Sequence, residues 1–234
     1  MKILAIESSA TVASVALLSE EELLAEYTMN HKKTHSQTLL PMLDEIVKMS
    51  EMEMKEIDAV AVSAGPGSFT GLRIGSATAK GIAQAEGAPI ISVPTLEGMA
   101  YNLYGSEELI CPVMDARREH LYTGIYTFEH GNEFKICMEQ DVLSVEELCE
   151  KLNQYKMPVV FLGDGIELVK KYQENLKVSF SFAPPHLSGV KASSIGVRAI
   201  CLMREGKAES AKEHTPVYLR MSQAEREREE KSKV

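Results

Sequence analysis

The segment Gly65-Pro66-Gly67-Ser68-Phe69-Thr70-Gly71-Leu72-Arg73-Ile74-Gly75 joins an apolar run, IDAVAVS, to a stretch that is typical of a helix. Gly65 and Gly67 permit backbone angles that residues with a Cβ avoid, and Pro66 stiffens the turn. Ser68 or Thr70 can accept hydrogen bonds from the free N–H groups of the following helix. Because a helix start can hold an anion, Gly65, Gly67 and Ser68 are candidate anion-binding residues. The alternative is that the glycines only make a tight strand-to-helix connection.

The rest of the chain repeats one order of strands and helices twice. The first half reads as three strand-like runs within residues 2–29, then alternating helices and strands at 35–49, 57–63, 70–86, 89–93 and 95–103. From about residue 106 three more runs begin, followed by helices and strands at 144–155, 158–162, 166–173, 177–183 and 193–204. The sequence therefore predicts an α/β protein with a duplicated βββαβαβα unit, the two-lobed layout of the actin-like ATPase (ASKHA) superfold.

This pattern also predicts how the chain divides. We expect an N-terminal lobe at residues 1–105, a C-terminal lobe at 106–216 and a charged tail at 217–234. The last helices of the second lobe can fold back onto the first lobe, so that boundary is the least defined. The tail contains the run AEREREEKSKV, and so many charges are typical of a solvated chain end.

Composition excludes several classes of protein. The formal net charge is −9 and the pI is about 5.3, whereas a protein that holds nucleic acid through its overall field needs a basic surface. No signal peptide and no run of about 18 apolar residues is seen, so we expect a cytoplasmic protein with no membrane contact. The cysteines form no Cys-x-x-Cys pair, which argues against a zinc site or a disulfide framework; they are Cys111, Cys137, Cys149 and Cys201.

Six motifs in order resemble those of the TsaB (YeaZ) family. Besides the segment at 65–75, the chain contains ILAIESS, HSQTLLPML, MDARREHLY, FLGDG and PVYLR. The resemblance covers most of the chain, and a match of this length is far more specific than a single glycine-rich turn.

The resemblance implies a role in making threonylcarbamoyladenosine in tRNA. The expected function is that of a non-catalytic subunit required for threonylcarbamoyl transfer to the adenosine adjacent to the anticodon of tRNAs that read ANN codons. The expected partners are the catalytic homologue TsaD and the ATPase TsaE, with self-association when the partner is absent. On this basis the chain has no cofactor of its own, ATP and magnesium belong to the partner subunits, and tRNA is contacted only indirectly.

The helix after the glycine-rich segment has small residues on two sides. At about 100° per residue, Gly71, Gly75, Ala79 and Ala83 form one ridge. A second ridge lies roughly opposite and consists of Ala77, Gly81 and Ala85. We therefore expect this helix to pack against its own sheet and against something else, although the sequence does not decide which ridge faces which neighbour.

The preceding helix, at 35–49, is apolar over an arc of about 180°, nearly twice what one packing face requires. The resemblance implies that these two helices pair with the equivalent helices of TsaD. The predicted interface residues are Leu39, Leu40, Met42, Leu43, Ile46, Val47, Leu72, Arg73, Ile74, Ser76, Ala77 and Lys80. Two alternatives remain: a neighbouring helix of the same chain covers the excess, or a second copy does.

An independent enzyme, either an ATP hydrolase or a peptidase, is the rival hypothesis. Glu7 ends the first strand, where ATP-using members of the superfold hold magnesium through water. Asp115 and Arg117 occupy the place of the second phosphate hairpin, but the run Asp-Ala-Arg-Arg-Glu lacks the glycine that lets backbone approach a phosphate. This absence argues against a competent ATPase, although the arginines can still contact an anion. We assign no catalytic residue.

His31 and His35 stand four residues apart, a spacing that can place two imidazoles on one helix face for a metal. No third ligand accompanies them, so we predict capping or surface roles and no metal site. Neither a Gly-x-Ser-x-Gly elbow nor a His-Glu-x-x-His motif occurs, which leaves a peptidase without support in the sequence.

Overall fold

The computed structural model describes residues 1–30 and 34–220. The elements of the first half are β1 Lys2–Glu7, β2 Ala13–Ser19, β3 Leu23–Met29, α1 His35–Met49, β4 Ala59–Gly65, α2 Phe69–Glu86, β5 Ile90–Pro94 and α3 Thr95–Ala100. The elements of the second half are β6 Leu109–Asp115, β7 His120–Glu129, β8 Glu133–Ser144, α4 Val145–Tyr155, β9 Val159–Leu162, α5 Ile166–Lys171, β10 Phe180–Phe182, α6 Pro185–Ser188, α7 Ala192–Arg204 and β11 Ala208–Glu209.

Each half forms one mixed sheet of the same topology. The first sheet has the order β11-β5-β4-β1-β2-β3, and the second has the order β10-β9-β6-β7-β8. In both, the first three strands pair antiparallel and the later strands pair parallel beside the first one. Apart from the added β11, the two sheets are copies of one plan. The predicted duplicated βββαβαβα fold is therefore confirmed.

The first sheet is covered by helices on both faces. Leu4 and Ile6 of β1 belong to the core shared with α1 and α2, while Ile3 and Ala5 belong to the core shared with α3 and α7. This alternation follows from the two-residue period of a strand. Helix α7 comes from the second half of the chain, yet it packs on the first sheet, because its apolar side meets β1, β2 and β5. The proposed domain limits stay a prediction.

Local signals explain most element boundaries. Ser144 and Glu147 form the predicted capping box, in which the Glu147 N–H donates to Ser144 Oγ at 3.2 Å and the Ser144 N–H donates to Glu147 Oε2 at 2.8 Å. The helices predicted at 95–103 and 166–173 end earlier in α form, at Ala100 and Lys171, and are followed by 3₁₀ turns.

The four cysteines are free thiols, with Cys111 and Cys149 buried and the other two half-buried. Burial raises the pKa of Cys111 to about 12 and that of Cys149 to about 11, so both stay protonated and unreactive near neutral pH. Within residues 1–30 and 34–220, no helix has the length and apolar character needed to cross a bilayer.

Candidate functional site

A cavity of about 520 Å³ lies between the two lobes. The first lobe contributes the turn after β1, the start of α1 and the segment 66–71, and the second lobe contributes Asp115, Arg117 and Asp164. Residues 217–220 form a further wall. Most of the predicted anion-binding residues therefore lie at or beside one cleft.

The space beside the glycines of the 65–75 segment is filled by other parts of the same chain. A Cβ on Gly67 would lie 2.4 Å from the Ser9 carbonyl oxygen, and one on Gly71 would lie 2.0 Å from that of Ser8. The Ser68 N–H also donates to the Ser9 oxygen at 2.6 Å. The glycines thus let the turn after β1 pack directly on the start of α2, as the alternative to phosphate binding requires.

Ser68 is the N-cap of α2. Its Oγ accepts a hydrogen bond from the Gly71 N–H at 3.3 Å, so the predicted capping by this segment is confirmed, and of the two candidates it is Ser68 that does it. At the other end, Gly87 closes the helix in the left-handed conformation at φ 67°.

Glu7 does not line the cleft. Its carboxylate is fully buried, where it accepts from the Ser9 N–H at 2.6 Å and from the hydroxyls of Ser9 and Ser63. Burial raises the pKa of Glu7, and these hydrogen bonds oppose the increase only in part. The carboxylate connects β1 to the next turn and to β4. Glu7 is therefore not placed to hold magnesium in the cleft, which corrects our expectation.

Asp115 and Arg117 lie at the second-lobe side of the cleft and pair with each other. Arg117 Nη1 is 3.1 Å from Asp115 Oδ2, and the Arg117 N–H donates to Asp115 Oδ1 at 2.7 Å. Asp164 joins them by accepting from the Asp115 N–H at 3.0 Å, and desolvation raises its pKa. We did not predict Asp164 as a site residue, although it lies in the FLGDG motif. Gly163 before it has no room for a side chain, since a Cβ would lie 2.1 Å from the Val113 oxygen.

The imidazole of His35 also borders the cleft. Its Nε2 hydrogen-bonds the Ala10 carbonyl at 2.8 Å, so the ring joins the start of α1 to the turn after β1. His31, the other member of the predicted pair, lies outside the described residues.

Most of the apolar arc of α1 is covered by its own chain. Four predicted interface residues are buried in the core with β2 and α2: Leu39, Met42, Leu43 and Ile46. Leu40 is 59% exposed, and Val47 is half-buried. The arc is wide because α1 has two neighbours, the sheet and α2. Contrary to our expectation of an uncovered apolar face, those four side chains are covered by their own chain.

Helix α2 buries one ridge and exposes the other. The ridge of Gly71, Gly75, Ala79 and Ala83 is buried against β1 and β4. The ridge of Ala77, Gly81 and Ala85, named here the open ridge, is exposed. Among the other predicted interface residues of α2, Leu72 and Ser76 are buried, Arg73 is exposed, and Ile74 and Lys80 are half-buried. Leu72 and Ser76 must therefore be removed from the predicted contact set.

The chain has close relatives among known proteins. A family model described as "TsaD: tRNA N6-adenosine threonylcarbamoyltransferase" matches residues 22–228. The chain is 34% identical to the tRNA threonylcarbamoyladenosine biosynthesis protein TsaB of Bacillus subtilis (strain 168), over 96% of each protein. It is 31% identical to the protein of the same name from Escherichia coli (strain K12), over 94% of this chain and 95% of that one.

A solved structure also resembles this chain. YeaZ from Pseudomonas aeruginosa superposes with a TM-score of 0.77 at 27% identity, covering 93% of this chain and 99% of that one. Two copies of one mixed-sheet unit that face a common cleft define a protein of the actin-like ATPase superfold. Within that class, the chain belongs to the TsaB (YeaZ) family of tRNA threonylcarbamoyladenosine biosynthesis proteins, inside the wider family that the threonylcarbamoyltransferase model describes.

Proposed function

We propose that this chain is a non-catalytic subunit required for threonylcarbamoyl transfer to the adenosine adjacent to the anticodon of tRNAs that read ANN codons. It binds a TsaD-type catalytic subunit through the open ridge of α2 and the exposed part of α1, and a TsaE-type ATPase joins this assembly. ATP and magnesium are held by the partner subunits. The net charge of −9 supports a role in which tRNA is contacted only indirectly, through those partners.

The open ridge is the observation that carries this proposal. A Cβ on Gly81 would meet no atom within 4 Å, and Ala77 and Ala85 beside it are exposed. Glycine costs a helix interior about 0.5–1 kcal/mol relative to alanine, so its presence in an uncovered ridge needs a reason. Close approach of a second helix supplies one, because only small residues let two backbones come near each other. When the catalytic subunit is absent, a second copy of this chain can take its place.

The cleft supports a non-catalytic role in the same chain. The space that a phosphate would need beside the first-lobe glycines is taken by the chain itself: Val217 lies against Gly65, Ser9 against Gly67 and Ser8 against Gly71. Glu7 is fully buried. On the second-lobe side, the Arg117 guanidinium forms an ion pair with the Asp115 carboxylate. These contacts disfavour the ATP hydrolase form of the rival hypothesis.

Reconstitution of the modification in vitro tests the proposal. The TsaD-type and TsaE-type subunits of the same organism would be supplied with threonylcarbamoyl adenylate and tRNA, with and without this chain. We expect modified adenosine only when the chain is present, and full activity without it would end the proposal. Titration of the lone chain with ATP and magnesium tests the rival, which requires micromolar binding with turnover.

A further inference from the structure

Residues 216–220, named here the strap, run between the two lobes instead of belonging to a solvated tail as we expected for 217–220. The Val217 N–H donates to the Ala64 carbonyl at 2.7 Å, which joins the strap to the end of β4. Gly65 makes room for this contact. It has φ +118°, and a Cβ there would lie 2.2 Å from the Val217 oxygen. The strap therefore lies directly on the turn that begins α2.

The strap also contacts the first turns of α2 through Tyr218. The Tyr218 ring stacks on Phe69, with centroids 4.3 Å apart and planes 28° apart. The Arg73 guanidinium lies 4.1 Å from the centroid of Phe69, and Arg73 Nε donates to Tyr218 Oη at 3.3 Å. Aromatic stacking and a cation over a ring are both directional, so these contacts define an orientation as well as a separation.

The other end of the strap is held by the second lobe. Arg220 Nη1 donates to the Ala116 carbonyl at 2.7 Å and to the Arg117 carbonyl at 3.4 Å. These carbonyls belong to the turn between β6 and β7, where Arg117, Arg118 and Glu119 have φ of +67°, +54° and +59°. Three consecutive non-glycine residues in the left-handed region persist only when their surroundings hold them there. Arg220 provides charge-assisted hydrogen bonds to that turn.

We propose that the strap fixes the start of α2 relative to the second lobe, and that Arg220 is a positioning residue for partner binding. The inference rests on the proposed function, because α2 carries the open ridge. Helix α2 is one continuous element of 18 residues. Since a helix rises about 1.5 Å per residue, Gly81 lies roughly 18 Å along the axis from Phe69, and a tilt at the first turn is carried to the open ridge. Residues 217–220 of the strap also form one wall of the cavity between the lobes.

Substitution Arg220→Ala tests whether a contact with the second lobe affects α2. In the described chain, the hydrogen bonds of this guanidinium go only to the second lobe. Amide hydrogen exchange would be measured on the isolated full chain, and affinity for the TsaD-type subunit by calorimetry. We expect exchange to become at least about fivefold faster both at 116–120 and at 69–73, and the dissociation constant to rise about five- to tenfold. Arg204→Ala is the matched control, since Arg204 is exposed and pairs with Glu20, and it should change neither.

Tyr218→Ala and Tyr218→Phe provide a second pair. The alanine variant should reproduce both effects, whereas the phenylalanine variant keeps the ring stack and should retain most of the wild-type affinity. Faster exchange confined to 116–120 in Arg220→Ala, with unchanged partner affinity, would overturn the positioning role. If the wild-type chain bound no partner at all, the proposed function would fail, and the exchange at 69–73 would still decide whether the strap positions α2.

Discussion

The same substitution at two glycines of α2 should have opposite effects on stability. Gly75 lies on the buried ridge and Gly81 on the open ridge of one helix. A Cβ on Gly81 meets nothing within 4 Å, whereas a Cβ on Gly75 would lie 2.3 Å from Ser8 Oγ and 3.7 Å from Val62 Cγ2. Gly→Ala at the two positions therefore adds one methyl group to the same helix in two different surroundings.

The expected magnitudes follow from these distances. Gly81→Ala should raise the free energy of unfolding by about 0.5–1 kcal/mol, which is the gain in helix propensity. Gly75→Ala has the same gain, but Ser8 Oγ must move and lose its hydrogen bond to the Gly71 carbonyl at 2.9 Å. Because Ser8 is buried, an unpaired hydroxyl there costs about 1–3 kcal/mol, and the overlap costs about 1–3 kcal/mol more. Gly75→Ala should therefore be less stable than wild type by about 1–5.5 kcal/mol.

Urea unfolding of wild type and the two variants, monitored by circular dichroism, measures both quantities. Equal denaturant slopes would show that the compared states are the same. A loss of stability in Gly81→Ala would mean that something covers the open ridge in the isolated chain. Wild-type stability in Gly75→Ala would mean that the buried ridge does not approach the turn after β1 as closely as described.

Three further predictions concern buried side chains and use the same unfolding assay. Leu43→Arg should lower the unfolding free energy by more than about 3 kcal/mol because it buries an unpaired charge, whereas Leu40→Arg, at an exposed position, should change it by about 0.5 kcal/mol or less. Burial raises the pKa of Glu7 above its ordinary value of 4.5. The contribution of Glu7 to the free energy of unfolding is therefore present below that pH and is lost as pH rises through the folded-state pKa. Wild type should lose stability relative to Glu7→Gln above pH 4.5. Arg198→Ala should cost about 3–5 kcal/mol, because Arg198 Nε is 2.7 Å from buried Glu97 and its removal leaves that carboxylate unpaired.

Periodic elements could be predicted from the sequence because each carries its own signal. Helix α1 was predicted at its observed bounds, and α2 and α4 within one residue, since apolar spacing and caps mark them. Short elements carry no such signal. β11 has two residues and α6 has four. β11 contacts β5 and α6 contacts β9, so both depend on tertiary contacts. The repeated order of strands and helices could be predicted because each of its longer elements has its own sequence signal.

Surface assignments were less predictable, because a sequence shows how much apolar surface a helix has and not which neighbour covers it. The two ridges of α2 have similar composition, and Gly75 differs from Gly81 because Ser8 and Val62 lie beside it. The arc of α1 was too wide for one neighbour, and it has two within its own chain. The strap was missed because its contacts join residues about 100 or more positions apart, such as Arg220 and Ala116.

Whether the open ridge binds the catalytic subunit can be measured as the affinity of a TsaD-type subunit for Gly81→Arg and Gly189→Arg. Both glycines have open space where the Cβ would be, so both variants should remain folded, but Gly81 lies on the open ridge and Gly189 lies in the second lobe. We expect the dissociation constant of Gly81→Arg to rise at least a hundredfold and that of Gly189→Arg to stay within about twofold of wild type. Wild-type affinity in a folded Gly81→Arg variant would show that the open ridge does not bind the catalytic subunit.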